Sequence, residues 1–221
     1  MAEQVPNVCA GLFGAFYDFY IERPRLMQAI GRGLWGIDAA VLYASMKPIE
    51  DAGSGTVIAD VPCGGGVAFR ALAPEQDVRY LAADLCTKML RRARRRAAKR
   101  SLQQVELLEA DMTNLPFGDA EVDLFLSFSG LHMLAEPEQA VAEIARCLKP
   151  GGKVVGTTFL SDGSRRAKAI FKAGSYRGHA LPPDRKRVAS WLEASGLVGV
   201  HVGPERGFTS FEAAKPPPST S

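Results

Sequence analysis

The chain has 221 residues, 47% of them hydrophobic, and its 27 basic and 24 acidic side chains leave a formal net charge of +3. A chain of this length can bury roughly 70% of its unfolded surface, so one domain needs no disulfide or metal to stand. The small positive balance does not by itself argue for nucleic acid. There is no run of about 18 apolar residues, and the opening MAEQVPNVCAGLFGAF lacks the basic start and cleavage site of a signal peptide. The expectation is a cytoplasmic protein with no membrane span. The four cysteines (Cys9, Cys63, Cys86, Cys147) are far apart with no C-x-x-C, which suggests neither a zinc site nor a disulfide framework.

Residues 1–52 read as a helical cover. They are rich in aromatics (Phe13, Phe16, Tyr17, Phe19, Tyr20, Trp35), which suit a helix packing face, and are broken by Pro24, Gly31 and Gly33. The texture then changes. TVIADV, VRYLAA, VELLEA, VDLFLSF and KVVGTTF are short β-branched or apolar runs alternating with helical patterns, which predicts a parallel sheet of βαβ units with helices on both faces. In CTKMLRRARRRAAKR the stripe Leu90, Ala93, Ala97 has helical spacing amid charge. In PEQAVAEIARCLKPGG, Pro137 suits a first turn, Val141, Ile144 and Leu148 form the buried stripe, and Pro150-Gly151-Gly152 stop the helix. Residues 53–160 form the core and 161–183 an inserted segment. Over 184–214 a helix closed by Gly196 leads into a last strand pair, LVGVHV and FTSFEAA. The tail 215–221, KPPPSTS, is expected to be disordered. All of these belong to one domain, 1–221, and no internal repeat is visible.

The stretch VIADVPCGGGVAF ends a buried strand with Asp60 and follows it with Pro62, Cys63, Gly64, Gly65 and Gly66. In an open α/β sheet, ligands bind outside the carboxyl ends of the strands. A glycine-rich turn there either is a plain tight turn or clears side chains from a ligand's path, leaving N–H groups to meet it. Asp84 ends the second strand 24 residues after Asp60, where an acid can accept hydrogen bonds from both hydroxyls of a ribose. Asp111 ends the third. Three acids at successive strand ends suit a positively charged nucleoside better than a polyphosphate, and neither a Walker lysine nor G-x-G-x-x-G is present.

Four segments in order, VIADVPCGGG, YLAADLCTKMLRRAR, VELLEADMTNLPFGDAEVDLFLSFSGLHML and EIARCLKPGGKVV, resemble the class I S-adenosylmethionine-dependent methyltransferases, specifically the type 11 domain. The likeness covers about 100 residues, from Val57 to Val155. Known members of that domain methylate ubiquinone and menaquinone precursors. The resemblance implies an α/β, Rossmann-like, doubly wound and mostly parallel seven-stranded sheet with its last strand antiparallel. It implies S-adenosylmethionine as cofactor and S-adenosylhomocysteine as product. Asp60, Cys63 and Gly64 to Gly66 would cradle the methionine end. Asp84 would hold the ribose, Leu85, Met89 and Met112 would flank the adenine, Asp111 would meet its amino group, and Ser127 would lie near the methionyl portion. Pro62 departs from the family's usual glycine; it fixes φ and cannot donate a hydrogen bond.

Methyl transfer from a sulfonium is an in-line displacement, for which a protein supplies alignment and exclusion of water. A hydroxyl acceptor also benefits from a base. His132, in SFSGLHML just past the fourth strand, is the candidate, because imidazole titrates in the useful range; the alternative is a histidine that only shapes the pocket. His179 and Tyr176 on the inserted segment, and Tyr17 and Tyr20 in the N-terminal cover, are candidate acceptor contacts. His201, within a strand, reads as structural. RRARRRAAKR holds seven basic residues in ten but reads as a solvated helix face. The fourth strand ends in SFSG rather than in the Asn-Pro-Pro-aromatic motif of amino-group nucleic-acid methyltransferases, so no nucleic-acid partner is expected. The leading reading is methylation of a small-molecule hydroxyl, a sugar among the candidates. Carbon methylation of a quinone-type ring and a noncatalytic cofactor-binding regulator are the alternatives. Metal requirement and oligomeric state stay open.

Overall fold

The computed structural model describes residues 23–35, 38–165, 168–169, 172 and 181–218. Seven strands, β1 (Thr56–Asp60), β2 (Val78–Asp84), β3 (Val105–Glu109), β4 (Val122–Phe128), β5 (Leu148–Phe159), β6 (Val198–Val202) and β7 (Phe208–Ala214), form one sheet in the order β3-β2-β1-β4-β5-β7-β6. The first five are parallel, and β7 runs antiparallel to both β5 and β6. The chain winds outward from β1 to β3, then returns to place β4 on the other side of β1. The carboxyl ends of β1 and β4 therefore flank the point where the winding reverses, the crevice that open α/β sheets offer to ligands.

The helices among the described residues are α1 (Pro24–Ile30), α2 (Ala40–Ala44), α3 (Lys47–Glu50), α4 (Thr87–Lys99), α5 (Pro137–Cys147) and α6 (Arg185–Ala194). Helices α2 to α6 divide between two apolar layers. On one face Leu42 of α2, Ile49 of α3 and Met46 between them, with Ala93 and Ala97 of α4, pack on Ile58, Tyr80, Ala82 and Leu126. On the other, Val141 and Ile144 of α5 and Val188 and Leu192 of α6 cover Ala59, Leu81, Ala83 and Phe125. Strands buried on both faces need no polar alternation, which is why they read as continuous apolar runs.

Pro24 opens α1, where its missing N–H costs nothing, and the expected break at Gly31 and Gly33 is instead a π-helical turn over Gly31–Trp35. A second boundary also differs from the sequence reading. The helix expected to reach Pro150 stops at Cys147. Leu148 is already extended (φ −66°, ψ 135°) and pairs with Val122, so it is buried as a strand residue rather than as the last of a helical stripe.

Candidate active site

The acids at the ends of β1 and β2 lie on one face of the sheet, since Ile58 pairs with Tyr80 and Asp60 with Ala82. Asp60 is 1% exposed and accepts a hydrogen bond from Tyr80 Oη at 3.0 Å. Burial pushes its carboxyl up to about 7; the Tyr80 hydroxyl opposes the shift and the Asp84 charge adds to it. Burial likewise raises the Tyr80 hydroxyl and the Cys63 thiol, helped by the Asp60 charge. Asp84 is 8% exposed and closes the turn. Its Oδ2 accepts from Gly64 N and its Oδ1 from Cys86 N, both at 2.8 Å. Burial raises its pKa and these two N–H groups hold it down.

The loop between them is built on the backbone. Cys63 N donates to Ala83 O at 2.8 Å and Gly66 N to Cys63 O at 2.9 Å. Gly64 and Gly66 both take positive φ, +53° and +78°. A Cβ on Gly66 would lie 2.5 Å from the Phe69 ring, whereas a Cβ on Gly64 would meet nothing within 4 Å. Gly66 thus serves the fold, while Gly64 faces open space. The Val61–Pro62 bond is cis. A Cβ on Gly130 would stand 2.4 Å from Pro62 Cδ and 3.3 Å from Ser127 Oγ, so the turn after β4 sits directly on the loop after β1.

Other predicted residues are placed less uniformly. Leu85, beside Asp84, is an apolar side chain left 44% exposed, and Met89 is half-buried at the start of α4. Asp111 lies two residues past β3 and is exposed. Its Oδ1 accepts from Thr113 N at 2.9 Å and Thr113 Oγ1 at 2.8 Å, while Met112 turns inward. Ser127 is fully buried with its Oγ making no hydrogen bond. His132, on a 3-10 turn over Leu131–Met133, is 9% exposed. Its ring meets Phe159 edge-on at 5.0 Å, and Phe159 packs on Phe208 at 4.9 Å. Tyr17, Tyr20, Tyr176 and His179 lie outside the described residues. His201 is on β6 and exposed.

The basic run on α4 is only partly a solvated face. Lys88, Arg91, Arg94 and Arg95 are exposed, but Arg96 donates to Gly65 O, and Arg100 Nη2 donates to Leu72 O at 3.1 Å. These two arginines fasten α4 to the glycine loop and the turn that follows it. Tyr80 was missed by the sequence reading. Its signal was a hydroxyl inside an otherwise apolar strand, which needs a buried partner.

A buried acid, open space over Gly64, the bare apolar Leu85 and the orphaned Ser127 Oγ together fit a ligand that is part apolar, part polar and positively charged. A cleft of about 540 Å³ elsewhere, lined by Ala44, Pro48, Val155, Ser210 and Glu212 among others, contains none of the residues expected to bind cofactor. No His, Cys, Asp and Glu group among the described residues could hold a metal, and no described helix is long and apolar enough to cross a membrane.

Sheet order, with the glycine loop following β1, defines a Rossmann-like α/β fold. The family model described as a methyltransferase domain matches residues 59–156. Over 88% of its length the chain is 31% identical to the demethylmenaquinone methyltransferase of Clavibacter sepedonicus, spanning 84% of that protein. It is 26% identical to the 27-O-demethylrifamycin SV methyltransferase of Amycolatopsis mediterranei (strain S699), over 72% of this chain and 61% of that one. Among solved structures, Haemonchus contortus phosphoethanolamine N-methyltransferase 2 in complex with S-adenosyl-L-methionine superposes with a TM-score of 0.74. It is 16% identical and covers 95% of this chain and 59% of its own, a likeness of fold. The chain belongs to the class I S-adenosylmethionine-dependent methyltransferases, in the type 11 family.

Proposed function

We propose that the protein methylates a hydroxylated, quinol-type ring of a small-molecule acceptor at carbon, with His132 as the base. The observation that carries this is the aromatic wall at His132, formed by Phe159 and, behind it, Phe208. Such a surface suits a flat ring better than a sugar, whose many hydroxyls would need convergent polar partners. Similarity to a demethylmenaquinone methyltransferase over most of both chains supports the same class. His132 takes the proton of a ring hydroxyl. The charge left on oxygen spreads to the neighbouring ring carbon, which would take the methyl group as the S–CH3 bond breaks. That carbon then loses its own hydrogen as a proton to solvent, restoring the aromatic ring, while the packed Phe159 ring holds the imidazole in place. Similarity to the 27-O-demethylrifamycin SV enzyme favours a second reading, in which the deprotonated oxygen itself is methylated.

On the cofactor side, S-adenosylmethionine when bound supplies an electrophilic methyl carbon. Asp60 and the turn of Cys63 to Gly66 would hold its methionine end, with Ser127 beside it. Asp84 has the capacity to hold a ribose: a carboxylate has about four acceptor sites, and Gly64 N and Cys86 N occupy two. Two remain for two hydroxyls. Leu85, Met89 and Met112 would flank the adenine, and Asp111 would accept from its amino group.

The test is single-turnover methyl transfer to a demethylmenaquinol analogue across pH 5.5 to 9. His132→Ala is expected to lower kcat about 10²–10⁴-fold while leaving cofactor affinity nearly intact. The wild-type rate should rise with pH as the imidazole loses its proton, since only the neutral ring accepts one. Carbon-bound methyl in the product supports the first reading; an ether methyl moves the assignment to oxygen. Wild-type turnover and pH profile in the variant would reduce His132 to a pocket wall.

A further inference from the structure

We propose that Tyr80 is a positioning residue which, through its hydroxyl bond to Asp60, sets the protonation of that acid, and that a positive charge on the bound cofactor drives the Asp60 proton into solvent. The inference rests on the cofactor assignment above and extends it.

The geometry leaves Asp60 with little to stabilise a negative charge. Its side chain is buried, and among the described residues the one hydrogen bond to it comes from Tyr80 Oη at 3.0 Å, itself fully buried. The groups facing it are otherwise acidic or apolar. Asp84 stands on the same face of β2 and Cys63 in the loop. Leu126 of β4 is its register partner, and Leu42 of α2, Ile49 of α3 and Met46 between them line the same layer. No cation among the described residues bears on it. Burial without a counter-charge favours the neutral acid, consistent with a carboxyl pushed up to about 7. Tyr80 works against this, because an O–H donor favours the carboxylate. A ligand that brings a positive charge to the open space at Gly64 would complete what the protein lacks, and the proton would leave. Two groups of the cofactor carry such a charge. The methionyl ammonium is common to cofactor and product; the sulfonium belongs to the cofactor alone.

The sign follows from linkage. If binding releases a proton, affinity rises with pH, by at most about tenfold per unit, and levels off above about pH 7, where the free enzyme has already lost it. The experiment is titration calorimetry with S-adenosylmethionine and with S-adenosylhomocysteine at pH 5.5 to 9. Parallel runs in phosphate and Tris, whose ionisation heats differ, count the protons released. Wild type is expected to release roughly half a proton at pH 7. Tyr80→Phe, losing the donor, should release more at pH 7, bind several-fold more weakly there, and recover toward pH 9. Asp60→Asn keeps the shape of the side chain and should lose the proton release that wild type shows near pH 7. Thermal melts establish that each variant is folded. Release with both ligands assigns the effect to the ammonium, and release with S-adenosylmethionine alone to the sulfonium. Binding without proton release in wild type overturns the proposal while leaving the cofactor assignment intact. A Tyr80→Phe profile identical to wild type removes Tyr80 from it. No binding of either ligand at any pH defeats the cofactor assignment, and this inference with it.

Discussion

The end of β1 and the turn just past β3 carry the same kind of residue in opposite surroundings. β1 is central in the sheet, and Asp60 there is 1% exposed, with its carboxyl raised by burial. β3 is an edge strand, and Asp111, two residues past its end, is exposed and engaged in a local turn with Thr113. Asp84, on β2 between them, is intermediate: nearly buried, but satisfied by two backbone N–H groups. Position in the sheet, more than position along the strand, decides what a strand-end acid can do. A central acid is a desolvated charge awaiting a partner, the intermediate one is a preorganised acceptor, and the edge acid competes with water.

The sharpest way to break that ranking is at Asp84. Asp84→Ala removes the acceptor for Gly64 N and Cys86 N and any hold on a ribose. Each hydrogen bond to a charged group contributes about 1.5–3 kcal/mol, so affinity for S-adenosylmethionine should fall about 10²-fold or more by calorimetry. An equal loss in Asp111→Ala would mean that the ribose acid is misassigned.

A contrast of similar size lies within the loop. Gly66→Ala meets both a left-handed φ of +78° and the Phe69 ring, and should cost about 2–3 kcal/mol of stability by urea denaturation. Gly64→Ala, at φ +53° with open space around it, should cost about 1 kcal/mol yet weaken cofactor binding, because its methyl points where the ligand would lie. A Gly64→Ala protein that binds as wild type would remove the ligand from that space.

These contrasts also mark what the residues alone could convey. The alternation of strands and helices, and the glycine loop with an acid ending each of β1 and β2, were legible, because β-branched runs, glycine and strand-end carboxylates each have a local physical reason. Tyr80 was not, because its importance lies in a partner 20 residues away, reached only once β1 and β2 pair. Arg96 was assigned to solvent because a helical repeat of charge looks uniform, whereas its contact with Gly65 O depends on where α4 lands. Leu148 was assigned to a helix because its apolar spacing fits one, and the pairing with Val122 that claims it is non-local.

Asp60 predicts a smaller effect with an unusual sign. Its folded pKa of about 7 stands roughly three units above the unfolded value. Such a group leaves stability intact below about pH 4 and erodes it as pH rises to about 7. At about 1.4 kcal/mol per unit the ceiling is about 4 kcal/mol; relaxation around the charge should leave about 1–2. Asp60→Asn, which cannot ionise, should therefore melt higher than wild type at pH 8, with the difference vanishing toward pH 4. A variant less stable than wild type at pH 8 would show that the carboxylate is well accommodated after all.

The smallest effect belongs to the edge. Asp111 Oδ1 already accepts from Thr113 N and Thr113 Oγ1, and the side chain is open to water, so any adenine contact there displaces solvent from an exposed carboxylate. One such hydrogen bond contributes about 0.5–1.5 kcal/mol, and Asp111→Ala should weaken S-adenosylmethionine binding about two- to tenfold. Asp111→Asn keeps an oxygen for the turn and for an amino donor, and should stay within about twofold of wild type, because no net charge is needed at a neutral adenine. If Asn binds as poorly as Ala, the negative charge itself matters at this edge. Asp111 would then act on the cofactor's positive charge, as inferred for Asp60, and the distinction between centre and edge would fail.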